Sequence, residues 1–84
     1  MEDYMITFRS VTPAQRGEAL LRQAGFLCRL QRTPKWMETQ GCGYSLRFRG
    51  QGIQEAVRLL RDRKIQFRKL YCLGENGSAE EMTL

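Results

Sequence analysis

Apolar and polar residues alternate from Tyr4 to Phe8, with Tyr4, Ile6 and Phe8 on one side and Met5 and Thr7 on the other. A period of two marks a half-buried strand. The run Val11 to Gln15 then reads as a helix start, with Thr12 as the cap, Pro13 at the first helical position and Gln15 completing a capping-box pattern. Pro13, Gly17, Leu20, Leu21 and Ala24 share one helical face, and Gly25 supplies a left-handed stop. Phe26 to Arg32 alternates again, with Phe26, Cys28 and Leu30 together on one side. An irregular linker, Thr33 to Gly41, leads to a third strand. Tyr44, Leu46 and Phe48 line one of its faces, and Ser45, Arg47 and Arg49 line the other. Gly50 and Gly52 break it. A second helix follows, with Ile53, Ala56, Val57 and Leu60 as its apolar stripe. Ile65 to Leu73 predicts a fourth strand, whose alternation is imperfect around Arg68 and Lys69.

Strand, helix, strand, strand, helix, strand is the order of a ferredoxin-like βαββαβ sandwich. The expectation is therefore an α+β fold, a two-layer sandwich with a four-stranded antiparallel sheet and two helices on one face. Residues 1–73 would form the single domain. Residues 74–84, acidic and rich in small residues, have no periodicity and read as a flexible tail. The face of the sheet away from the helices would carry Met5, Leu27, Arg29, Ser45 and Arg47. This architecture hosts many activities, so function has to come from particular residues.

Charge and composition narrow the choice. The 84 residues carry a formal charge of +5, and eleven of the fourteen basic residues are arginines. Arginine favours oxyanions and carboxylates through its planar donor fork, so an acidic partner, an anionic ligand or RNA would fit. The chain has no histidine. That removes Ser-His-Asp and Cys-His catalysis and leaves metal sites short of ligands, so neither a metal nor a cofactor is called for. No apolar run approaches the ~20 residues of a membrane span, and the first ten residues lack a signal-peptide pattern, which together point to the cytoplasm. Three cysteines, Cys28, Cys42 and Cys72, form an odd set without CxxC spacing, which argues against a disulfide framework.

Cys42 stands between Gly41 and Gly43, two residues with no side chain to cover it. Glycines on both sides let the backbone turn tightly and leave a sulfur approachable. Lys35, Arg32 and Arg47 are close in sequence, and a nearby cation favours thiolate over thiol. A thiolate can attack electrophilic sulfur or selenium and hold the transferred atom, chemistry that needs no histidine. The alternative is plain: free cysteine is commonly a small buried hydrophobe, and glycines at a strand entrance can mark a bulge. Spacing alone favours that alternative. For Cys28, sharing a face with Phe26 and Leu30, the core reading wins.

A resemblance changes the balance at Cys42. The segment Arg32 to Phe48, RTPKWMETQGCGYSLRF, together with Tyr4 to Leu30 upstream, resembles the putative selenium/sulfur carrier protein-like family of small bacterial domains. The matching pieces are Tyr4 to Thr12, Ala24-Gly25, Thr33-Pro34-Lys35, Cys42-Gly43 and Leu46-Arg47-Phe48, and the similarity spans about residues 4–73. The family often has serines before its Cys-Gly, where this chain has Thr39, Gln40 and Gly41. The resemblance implies a carrier protein rather than a stand-alone enzyme. Cys42 would hold a chalcogen as a persulfide or selenopersulfide, with Gly41, Gly43, Lys35, Arg47 and Thr39 in support. Its partners would be a cysteine desulfurase-type donor and a selenium- or sulfur-accepting enzyme.

Two other classes compete. RNA-recognition domains share the element order, and QGCGYSLRF matches their two glycines and the aromatic that follows. Gln40, Cys42 and Arg47, however, occupy the positions of the basic residue and the stacking aromatics, so specific RNA recognition ranks low. A protein- or anion-binding module is the second rival, with Leu27 and Met5 as an apolar centre rimmed by arginines. Trp36 reads as a lid over a small core, with partner docking as the alternative. Self-association of the chain stays open.

Overall fold

The computed structural model describes residues 3–35 and 43–83. Its elements are β1 (Asp3–Phe8), α1 (Val11–Gln23), β2 (Leu27–Arg32), β3 (Tyr44–Arg49), α2 (Ile53–Asp62), β4 (Lys69–Leu73) and β5 (Ala79–Met82). The strands form one antiparallel sheet in the order β2-β3-β1-β4-β5. The fold is α+β, with two helices packed against that sheet. The expected four strands are corrected to five, so the order is not strictly the ferredoxin-like one.

The fifth strand comes from the segment that has no hydrophobic periodicity. Gly74 to Ser78 turns the chain back, with Gly74 N–H donating to Ser78 O at 2.8 Å and Gly77 at φ +82°. Met82 then pairs with Leu70 and packs against the core, while Lys69 Nζ meets Glu81 at 3.3 Å. One apolar residue and a hairpin turn suffice when a neighbouring strand supplies the backbone partners.

Alternation and the α2 stripe otherwise place the core correctly, whereas on α1 Ala14 is fully buried and Ala24, expected on the packed face, is exposed. Tyr4, Ile6, Phe8, Cys28, Leu46, Phe48 and Leu70 from the sheet meet Ala14, Leu21, Ile53, Ala56, Val57 and Leu60 from the helices. β4 begins only at Lys69, so Ile65 to Arg68 of the expected strand lie outside it. Its start is set by Thr7, whose Oγ1 accepts from Lys69 N–H at 3.0 Å while its carbonyl accepts from Arg68 N–H at 2.7 Å.

Helix α1 starts earlier than expected. Ser10 takes the cap position in extended conformation, without a side-chain capping bond, and Pro13 lies inside the first turn. The first N–H groups of a helix have no intrahelical acceptor, so proline there forfeits no hydrogen bond. The stop at Gly25 is as expected: Gly25 has φ +93°, and its N–H and that of Phe26 donate to Arg22 O and Leu21 O. Those two bonds form a Schellman motif.

Candidate functional site

Cys42, Gly41, Thr39 and Trp36, the centre of the predicted site, lie outside the described residues. The structure does describe the frame that carries them. β2 and β3 form a hairpin whose base is closed by Thr33 N–H donating to Gly43 O at 3.0 Å. On the helix-facing side of the same base, the Arg32 guanidinium sits 5.3 Å from the centre of the Tyr44 ring. Such a cation–π contact is worth ~0.5–1 kcal/mol when exposed. Residues 34–42 therefore leave and return through a fixed pair of strand ends. Arg32, one of the cations near Cys42 in sequence, is engaged with Tyr44, and Lys35 is exposed just after β2.

Two buried hydroxyls flank that base. Thr33 Oγ1 and Ser45 Oγ are inaccessible and have no hydrogen-bond partner among the described residues. Ser45 lies opposite Gln31 on one side and Thr7 on the other. The face away from the helices is consequently not open throughout. Met5, at 3% exposure, and Ser45, at 0%, are buried, which corrects their expected place on an open surface. Met5 stands in register between the long side chains of Arg47 and Tyr71. Leu27, Arg29 and Arg47 are exposed as expected.

Arg47 is bound to Asp3. Its Nη2 lies 2.8 Å from Asp3 Oδ2, and Arg49 Nε approaches Asp3 Oδ1 at 3.6 Å. Sequence reading missed this clamp because Asp3 precedes the first alternating residue, and a carboxylate at a strand start gives no periodic signal. A shallow recess beside it is lined by Arg22, Leu27, Arg29, Gln31, Arg47 and Arg49, with Cys28 at its border. Arg49 follows from strand alternation. Arg22 does not, because it reaches the recess from the last turn of α1.

The other two thiols are ordinary parts of the fold. Cys28 is 8% exposed, with Sγ 3.9 Å from Glu18 O, whereas Cys72 is half-buried. Burial pushes the Cys28 thiol upward, the Glu18 carboxylate adds to the rise, and Arg22 opposes it. The Glu18 carboxylate accepts from Leu30 N–H at 2.7 Å. A thiol that keeps its proton longer when folded binds more protons than the unfolded chain above ~8.5, so its contribution to stability falls as pH rises past that point. Urea midpoints measured between neutral and alkaline pH should fall more steeply in the wild type than in Cys28→Ala. Parallel pH profiles would show that Cys28 contributes nothing to the alkaline loss.

What the fold and site define is a small α+β domain with a basic sheet face and a tied β2–β3 hairpin around a glycine-framed thiol segment. A family model described as Putative Se/S carrier protein-like matches residues 3–72, and the chain belongs to that family. No curated protein and no solved structure matches the chain. Among the described residues, no helix is long and apolar enough to cross a membrane.

Proposed function

We propose that the protein carries sulfur or selenium on Cys42, taking it from a donor enzyme and passing it to an acceptor. The observation that carries this reading is the family match over residues 3–72, within which Cys42 stands between two glycines. The chemistry is a thiol exchange. The Cys42 thiolate attacks the terminal chalcogen of a donor persulfide or selenopersulfide, and the donor's bond between cysteine sulfur and terminal atom breaks. The donor cysteine leaves as thiolate, and the terminal atom keeps its proton as it becomes bound to Cys42. No net oxidation or reduction occurs, and no histidine is needed.

The fixed hairpin base supports this reading, because a carrier thiol has to be presented to two partners from a stable scaffold. Lys35, exposed at the end of β2, is the cation we assign to favouring the thiolate. Arg47 shares its charge with Asp3, so its support for Cys42 would be weaker.

The test is intact mass after incubation with a cysteine desulfurase and cysteine or selenocysteine. Addition of one sulfur or selenium atom, mapped to Cys42 and absent in Cys42→Ser, is the expected result. Loading on Cys28 or Cys72 alone, or no loading, would reject the reading.

A further inference from the structure

The strands of the hairpin bring three cations together against a single carboxylate. Arg29 and Arg47 are directly opposite each other across β2 and β3, and Leu27 is opposite Arg49. Directly opposed like charges destabilise a sheet. One acid, Asp3, answers Arg47 and Arg49. Arg29 has no ion-pair partner among the described residues. Beside these cations Leu27 is 66% exposed, the one large hydrophobic side chain so exposed among the described residues. Packing and local charge therefore explain neither Arg29 nor Leu27.

We propose that Leu27, Arg29, Arg47 and Arg49 form a docking surface for an acidic segment of a partner protein that also carries an apolar anchor. The proposal stands whether or not Cys42 carries a chalcogen. Three observations select this occupant. First, the exposed cations here are all arginines, which grip carboxylates two oxygens at a time. Second, a small anion would neutralise them and leave Leu27 in water, whereas a peptide with an apolar side chain covers it. Third, the residues of β2 and β3 that face away from the helices are Leu27, Arg29, Gln31, the buried Ser45, Arg47 and Arg49, with no aromatic ring among them on which a base could stack; Tyr71, on the same face of β4, is separated from Arg47 by Met5.

The geometry also says how the segment would bind. Thr33 N–H turns inward to Gly43 O, so the alternation of an antiparallel ladder turns the backbone groups of Cys28, Leu30 and Arg32 to the outer edge. There Glu18 of α1 already takes the Leu30 N–H. A partner strand added to that edge would have to displace Glu18. Binding across the face, through side chains, leaves that bond intact. Successive open-face residues along β2 are ~7 Å apart, and facing ones across the strands ~5 Å. Leu27 and the three arginines thus fit within the reach of one short peptide.

The experiment uses the full chain and a fluorescein-labelled peptide of repeated Glu-Glu-Leu, followed by anisotropy. The comparators are the same peptide with serine for leucine and a single-stranded oligouridine of equal charge. The leucine-containing peptide should bind most tightly and weaken with added salt. Arg29→Glu should weaken it about tenfold or more, because attraction becomes repulsion. Leu27→Ser should bring its affinity down to that of the serine peptide. Both positions are exposed, and unchanged circular dichroism and thermal midpoints would show that the variants fold. No peptide binding, equal binding by leucine and serine peptides, indifference to Arg29→Glu, or tighter binding of oligouridine would each overturn the proposal.

Discussion

Iodoacetamide at neutral pH is expected to label Cys42 first and Cys28 last, with Cys72 between them. Two effects protect Cys28, and both come from its place on the sheet. Its side chain turns toward α1, opposite Phe48, where it is 8% exposed, so a reagent needs a local opening to reach it. Burial and the Glu18 carboxylate also raise its pKa, which lowers the thiolate fraction that does the attacking. A local opening that costs roughly 3 kcal/mol alone slows labelling about a hundredfold. Cys72 is only half-buried beside Tyr4, so a reagent reaches it with less opening. Timed quenching, digestion and peptide mass mapping give the three rates, and the same series in urea should bring them together. If native Cys28 labels as fast as Cys42, the special status given to Cys42 fails. Should it match Cys72 alone, the edge of β2 opens far more readily than its contacts with α1 allow.

The pattern of the sequence reveals elements whose information is local or periodic. The α2 stripe Ile53, Ala56, Val57 and Leu60 is buried as its spacing requires, and Gly25 ends α1 where only a left-handed residue fits. β5 escapes because its strand character comes from β4, which offers a paired edge, and not from its own Ala-Glu-Glu-Met. Met5 and Ser45 are misjudged for a related reason. Alternation names the face a residue points to, but not whether neighbours close over that face. The Glu18 bond to Leu30 and the Asp3 clamp on Arg47 join residues 12 and 44 positions apart, beyond the reach of any local pattern. For the candidate site, the flanks were legible. Thr33, Gly43 and Tyr44 mark the hairpin base because a proline follows one side and a glycine precedes the alternating strand on the other.

Three glycine-to-alanine substitutions should destabilise the fold to different degrees, and the largest loss should come at Gly52. The scale is set by the size of the domain: 84 residues correspond to a total stability of roughly 4–13 kcal/mol. At Gly25, φ is +93° and an added Cβ meets nothing within 4 Å, so the loss is left-handed backbone strain alone, about 1–2 kcal/mol. At Gly17 the backbone is helical. A Cβ there would lie 3.2 Å from Leu60 Cδ2 and 3.3 Å from Leu46 Cδ1, where α1 crosses the core. Alanine gains about 1 kcal/mol of helix propensity and loses about 1–3 kcal/mol to overpacking, for a small net loss. Gly52 combines both faults. It caps α2 at φ +98°, and a Cβ would sit 2.8 Å from Phe26 Cε1. Phe26 cannot swing away freely, because its ring is tilted against Phe48 with centroids 5.3 Å apart. Strain and clash together predict a loss of about 2–4 kcal/mol for Gly52→Ala. Urea titrations of the three variants measure the order directly. Adding Phe26→Leu to Gly52→Ala separates the two faults, since the shorter side chain should relieve the clash and leave the strain. The double variant should then be more stable than additivity of the single losses allows. Strict additivity would mean that the Phe26 ring moves aside at no cost, and that Gly52 is required for its backbone angle alone.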